Sequence, residues 1–129
     1  MTKYTLIISG WRDATEKEHL DLIAGEMWRV RQRVRSDSIL LREGEARGVD
    51  TIAKWIALQW GWDIDPNHAD WSKYGRAAGH IRNREMCAKG GDELLAFPGP
   101  NSKGTTNCIQ WAKYFGIPIL RGPFPLSRE

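Results

Sequence analysis

The sequence predicts a doubly wound parallel α/β sheet, on three observations. Five short apolar runs alternate with four amphipathic helical stretches along 129 residues. The clearest runs, LIIS and LLAF, are continuously apolar, as strands are when both faces are covered. Parallel crossovers must be right-handed, so covering both faces requires the strand order to reverse once, most simply as 3-2-1-4-5. The length suits one domain over 1–129 with a core of its own.

Lys3 to Ser9 forms the first strand and ends in the turn Gly10-Trp11-Arg12-Asp13. Thr15 or Asp13 then caps a helix running to about Arg35, with Leu20, Ile23, Met27, Val30 and Val34 at steps of three and four. Arg29, Arg31, Arg33 and Arg35 flank that stripe and read as a solvated basic face. Ser38 to Leu41 is the second strand. After the turn EGEARGVD, a helix presents Val49, Ile52, Ala53, Ile56, Ala57 and Trp60 on one face until Gly61 closes it. Trp62 to Asp65 is the third strand, stopped by Pro66, and a polar loop through His68, Trp71, Tyr74 and His80 overlaps a helix over roughly Ala77 to Lys89. Glu93 to Phe97 is the fourth strand. A helix from about Thr105 to Phe115 follows, with Ile109, Ala112 and Phe115 inward. Ile117 to Leu120 is the fifth strand, and 122–129 form an extended tail.

Composition narrows the classes. Hydrophobic content of 41% with 27% charged residues suits a globular protein rather than a disordered one. No apolar stretch approaches the roughly 18 residues that span a bilayer, and the short apolar run after Met1 is too brief for a signal peptide. Cys87 and Cys108 fall on expected helices without metal-ligand spacing, which favours a reducing cytoplasm and no metal. No cofactor is implied. The net charge of +3 fits an anionic small molecule or a weak nucleic-acid contact. Of seven tryptophans, several belong in the core, and exposed ones would suit base stacking or a subunit interface.

The predicted strand order sets strands 1 and 4 side by side at the point where the sheet reverses, where ligands of such folds bind. Three turns then form one crevice: Ser9 to Asp13, Gly44 to Asp50, and the loop FPGPNSKGTT over 97–106. Pro98, Gly99, Gly104, Thr105 and Thr106 lead from strand to helix, and free N–H groups at a helix start hold phosphate without a charged side chain. The same composition also suits an ordinary connection. Arg12, Arg47 and Arg82 supply guanidinium groups for an anion. Asp13 and Asp50 can face ribose hydroxyls or cap helices. Neither GxGxxG nor a Walker A sequence is present. The expected ligand is a phosphorylated nucleoside or nucleotide derivative.

The blocks SGWRD, GEARGVDTIAKWIA, ADWSKYGRAAGHIRNREM and AFPGPNSKGTTN follow one another as in the SLOG superfamily, and they most resemble its YspA (cpYpsA-related) branch. The resemblance runs from Tyr4 to Ile119 and implies a Rossmann-like fold. Members include LOG enzymes, which cleave the N-glycosidic bond of nucleoside 5′-monophosphates, and the DNA-binding protein DprA; others are proposed to sense nucleotide-derived or ADP-ribose-like ligands. LOG enzymes carry a catalytic Arg followed by Lys, and a PGGxGTxxE loop whose Glu is catalytic. By resemblance Arg82 stands at the Arg position and Asn83 at the Lys. Gly99, Gly104 and Thr105 match the loop, Pro100 replaces its second Gly, and Cys108 stands where the Glu would be. A thiol cannot take the carboxylate's part there. The resemblance therefore implies a retained phosphate site without the usual hydrolytic pair.

Binding of a nucleotide-type ligand, as a sensor, carrier or sequestering protein, is the leading expectation. A nucleotide N-glycosidase using Arg82 with Asp50, Asp13 or Glu85 is the first alternative. Single-stranded nucleic acid is the second, because Arg82-Asn83-Arg84 resembles an Arg-Asn-Arg of DprA and Trp71 and Tyr74 could stack bases. His68 and His80 read as structural. Relatives form homodimers, so a homodimer or higher homo-oligomer in the cytoplasm is expected, with no membrane partner.

Overall fold

The computed structural model describes residues 3–34 and 38–122. The helix end expected at Arg35, and all of the expected tail except Gly122, lie outside the described residues. The sheet has five parallel strands in the order β3-β2-β1-β4-β5. They are β1 (Lys3–Gly10), β2 (Ser38–Glu43), β3 (Asp63–Pro66), β4 (Glu93–Phe97) and β5 (Ile119–Arg121). The helices are α1 (Lys17–Arg33), α2 (Val49–Gln59), the single-turn α3 (Trp71–Tyr74), α4 (Ala78–Ala88) and α5 (Lys103–Tyr114). A 3₁₀ turn over Gly75–Ala77 joins α3 to α4.

Alternation along the strands divides the core in two. Leu6 and Ile8 of β1 join Ile23, Met27 and Val30 of α1 and Val49, Ala53 and Ile56 of α2 on one face. Ile7, between them in sequence, joins Met86, Cys87, Cys108, Ile109 and Ala112 of α4 and α5 on the other. This Rossmann-like layering follows from strands that are apolar at successive positions, so each strand feeds both faces.

Several local expectations change. Neither Thr15 nor Asp13 caps α1. Glu16 does, through a capping box in which the His19 ring accepts the Glu16 N–H at 3.1 Å. This turns His19 inward, so His19 rather than Leu20 is buried on the helical stripe. The loop through Trp71 is partly helical because the Asp70 side chain accepts the Lys73 N–H at 3.1 Å. Helix α5 starts two residues earlier than expected, after Ser102. Trp62 is core rather than strand, and β5 starts two residues later than the IPIL run and ends one residue beyond it.

Candidate functional site

The carboxyl ends of β1, β2 and β4 are tied together by backbone bonds. The Trp11 N–H donates to Phe97 O at 2.9 Å, and the Val49 N–H at the start of α2 donates to Trp11 O at 3.1 Å. The turn after β1 is thereby clamped between the exit of β4 and the entry of α2. Gly48 makes this approach possible: its φ is +79°, and a Cβ there would overlap the backbone carbonyls of Trp11 and Arg12.

A cavity of about 470 Å³ opens where these elements meet. Ser9, Gly10, Arg12 and Asp13 line it from the β1 side, Arg47 and Asp50 from the α2 side, Arg82 and Asn83 from α4, and Gly104 and Thr105 from α5. A second hollow of about 310 Å³ continues past Gly44 toward His68, Trp71, Arg76 and His80. Arg12, Arg47, Arg82, Asn83 and Gly104 border both. Gly48, Pro98, Gly99, Thr106, Glu85, Tyr74 and Arg84, all singled out from sequence, line neither. A Cβ on Gly99 would overlap the Trp11 ring, so this glycine makes room for the indole. Glu85 is exposed on α4.

Helix α5 begins without a side-chain cap. The Ser102 hydroxyl is engaged elsewhere, accepting the Gly99 N–H at 2.7 Å, while the Lys103 N–H donates to Asn101 O at 2.9 Å. The N–H groups of Gly104 and Thr105 therefore lack a partner among the described residues, at the positive end of the helix and on the cavity wall. Two non-glycine residues of the surrounding turns hold positive φ: Glu45 at 55° and Asn101 at 54°. Such geometry concentrates at functional sites.

Asn83 fastens α4 to α5, its Nδ2 donating to Gly104 O at 3.2 Å and Asn107 Oδ1 at 3.1 Å. Arg82 donates from Nε to Asn83 Oδ1 at 2.9 Å and from Nη1 to the carbonyl of Gly44, against which its guanidinium packs. Arg47 pairs with Asp13 at 2.9 Å on the exposed rim. Arg12 has no ion-pair partner among the described residues.

Asp50 is 5% exposed. Its Oδ2 accepts the N–H groups of Gly44 and Ala46 at 3.0 and 3.3 Å, and Oδ1 has no partner among the described residues. Burial pushes its pKa up to about 7; the Arg82 guanidinium pulls the other way and the Glu43 carboxylate adds to the rise. Glu43 is fully buried, and its carboxyl is also pushed up by burial. Its Oε1 accepts the Glu45 N–H at 2.6 Å, whereas Oε2 has no hydrogen-bond partner among the described residues. This second carboxyl was hidden in the sequence because β2 reads as ending at Leu41. The strand in fact continues through Glu43, with Leu41 and Glu43 both buried. Sequence reading also passed over Asn101, Ser102 and Lys103 as wall residues; the loop's turn composition was their signal.

Cys108 is buried beside Cys87, whose contact, together with burial, pushes the Cys108 thiol up. Arg84 lies over the Trp111 ring, 6.0 Å from its centroid, and borders neither hollow. Among the described residues one cluster, Glu16, Glu18 and His19, brings metal-ligating atoms within 4.8 Å of one another. Glu16 and His19 are already committed to the α1 capping box. No helix among the described residues is long and apolar enough to cross a membrane.

The Rossmann-like fold is shared with two solved structures. DprA from Streptococcus pneumoniae superposes with a TM-score of 0.70 at 15% identity over 92% of this chain, which spans half of that protein. The structural-genomics target TM1055 superposes with a TM-score of 0.67 at 13% identity, over 90% of this chain and 72% of that one. The chain belongs to the family of the Gene 61 protein of Mycobacterium phage D29. The two are 36% identical over 115 residues, 85% of this chain and 86% of the phage protein. No family model matches the chain.

Proposed function

We propose that the protein binds a nucleotide or nucleotide-derived ligand, of ribose-phosphate or ADP-ribose type, in the crevice at the carboxyl ends of the strands. It would act as a sensor, carrier or sequestering protein of the YspA branch. One observation carries the reading: the uncapped start of α5 shares a cavity with Arg12, Arg47 and Arg82. Unpaired backbone N–H groups and guanidiniums are what a phosphate requires, and the Asp50 Oδ1 is available to ribose hydroxyls. Titration calorimetry with AMP, ADP-ribose and NAD tests it. At least one should bind, and Arg82→Ala should weaken that binding about tenfold or more, the loss of one charge-assisted hydrogen bond. Absence of binding to all three would defeat the proposal.

The raised pKa of Asp50 favours a second reading. Near pH 7 its carboxyl, pushed up to about 7, can hold a proton beside the cavity. It could deliver that proton to the base nitrogen as an N-glycosidic bond breaks and water adds to the sugar carbon. Release of free base from nucleoside monophosphates or NAD, followed by chromatography and abolished in Asp50→Asn, tests this reading. Retention of intact nucleotide would leave the binding function alone. Trp71 and Tyr74 are exposed beside Lys73 and Arg76, which keeps single-stranded DNA as a ligand to be tested by gel shift, although Arg84 is turned to Trp111. Homodimerisation in the cytoplasm belongs to the proposal too. Exposed Trp28, Trp55 and Leu58 on α1 and α2 agree with it, and a monomeric sedimentation coefficient at high concentration would oppose it.

A further inference from the structure

Three ionisable side chains hold the turn at the end of β2. Asp50 Oδ2 accepts the Gly44 and Ala46 N–H groups, Glu43 Oε1 accepts the Glu45 N–H between them, and Arg82 Nη1 donates to the Gly44 carbonyl. Glu45, inside the turn, keeps its φ of 55°, a conformation that persists where neighbours enforce it. Glu43 is fully buried and Asp50 more than nine-tenths buried, and each has one carboxyl oxygen without a hydrogen bond among the described residues. The Arg82 guanidinium acts on both carboxyls. Two enclosed carboxylates with one guanidinium leave a negative charge that a low-dielectric interior opposes, and a bound proton removes it.

The other charged groups around Asp50 come from every neighbouring element. After β1, Arg12 and Asp13 line the same cavity, and Arg47 pairs with Asp13 at 2.9 Å. Lys54 of α2 and His68 stand 3.8 and 3.4 Å from the Glu45 carboxylate. From α5, Lys103 lines the cavity, and the Cys108 thiol lies close enough for Asp50 to push it up. Arg82 differs from these cations in its double position. It serves both buried carboxyls, and its side chain also borders both hollows, with Nη2 free of hydrogen bonds among the described residues. An anion in the crevice therefore competes with Asp50 and Glu43 for one positive charge.

We infer that this turn couples anion binding in the crevice to proton uptake: an anion that engages Arg82 draws its charge away from the two buried carboxyls, and a proton from solvent moves onto Asp50 Oδ1. This rests on the proposed anion-binding site and adds its regulation, tighter binding as pH falls. With Asp50 pushed up to about 7, the free protein already carries the proton in more acidic solution, and affinity is level there. In more alkaline solution each anion must bring a proton with it, and affinity falls by up to about tenfold per pH unit.

Calorimetry with sulfate, NAD and ADP-ribose, whose charges stay fixed between pH 6 and 8.5, tests the inference in buffers of low and high ionisation enthalpy. At pH 8 the native protein should take up close to one proton per anion bound, and bind about tenfold more weakly than at pH 6.5. Asp50→Asn, which has no proton to gain, should show no uptake at pH 8 and level affinity from pH 7 to 8.5. Glu43→Gln removes the neighbouring charge and should move the onset of the decline to lower pH. Thermal melting checks that both variants remain folded. Anion binding without proton uptake at pH 8 would overturn the coupling while the binding site stands. An origin in His68 or His80 at the second hollow would leave the pH dependence intact in Asp50→Asn, which would overturn the assignment to Asp50. An onset unmoved in Glu43→Gln would overturn the sharing of Arg82 by the two carboxyls. Failure of all three probes to bind the native protein at pH 6.5 would remove both this inference and the function it rests on.

Discussion

Replacing Asp50 by asparagine should stabilise the protein above neutral pH while leaving its stability near pH 4 almost unchanged. In the unfolded chain the carboxyl titrates at its ordinary value of 3.8, and in the folded protein at about 7. Below pH 3.8 both states hold the proton and the group contributes no pH dependence. Between about 4 and 7 the unfolded chain gives up the proton while the folded protein keeps it, so native stability falls as pH rises. Above pH 7 the full penalty is present. About three pKa units at ~1.4 kcal/mol each give a penalty of roughly 4 kcal/mol. That is a large part of the roughly 5–15 kcal/mol that holds a domain folded. Asparagine keeps a carbonyl oxygen for the Gly44 and Ala46 N–H groups but carries no charge to bury. Urea unfolding of both proteins at intervals from pH 4 to 8 isolates the effect, because other titrating groups such as Asp65 and Asp70 cancel in the difference. The variant's advantage should grow through that window and level off above pH 7. A difference that stays flat with pH, or a native protein more stable than the variant at pH 8, would refute the assignment of a buried, reluctant carboxylate.

Two further substitutions probe the frame of the site. Gly48→Ala forces a side chain into a positive-φ position against the Trp11 and Arg12 carbonyls, and should lower stability by about 3 kcal/mol in urea unfolding. Asn83→Ala removes the Nδ2 bonds from α4 to Gly104 and Asn107 of α5, and should cost about 1–2 kcal/mol in the same assay. The uncapped start of α5 would then lose its fixed position against Arg82, so ligand affinity measured by calorimetry should fall with it.

Much of the fold was legible because it is written in local patterns. The continuous apolar runs at Leu6 to Ile8 and Leu94 to Phe97 can be covered only from both faces, and handedness then leaves few strand orders. Boundaries were less legible where side chains compete for the same backbone groups. Thr15, Asp13 and Glu16 all stand near the start of α1, and the reach of the His19 ring decides among them. Of the candidate site, residues at strand exits and helix starts could be named in advance, since topology fixes their region. Ser9, Gly10, Arg12, Arg47, Asp50, Arg82 and Gly104 line the cavity. Gly99 and Gly48 illustrate the opposite case: glycine in a turn signals a close approach but not what approaches, and here it is Trp11.

The sequence alone determined that this is a parallel, doubly wound sheet with three glycine-bearing turns at its reversal point, because periodicity and handedness act along the chain. Only the tertiary structure decided that Glu43 lies fully buried beside Asp50, and that Arg82 borders both hollows with its guanidinium against Gly44. Those facts depend on residues far apart in sequence sharing one low-dielectric region. Charge burial and side-chain orientation are set there by neighbours that no local pattern contains.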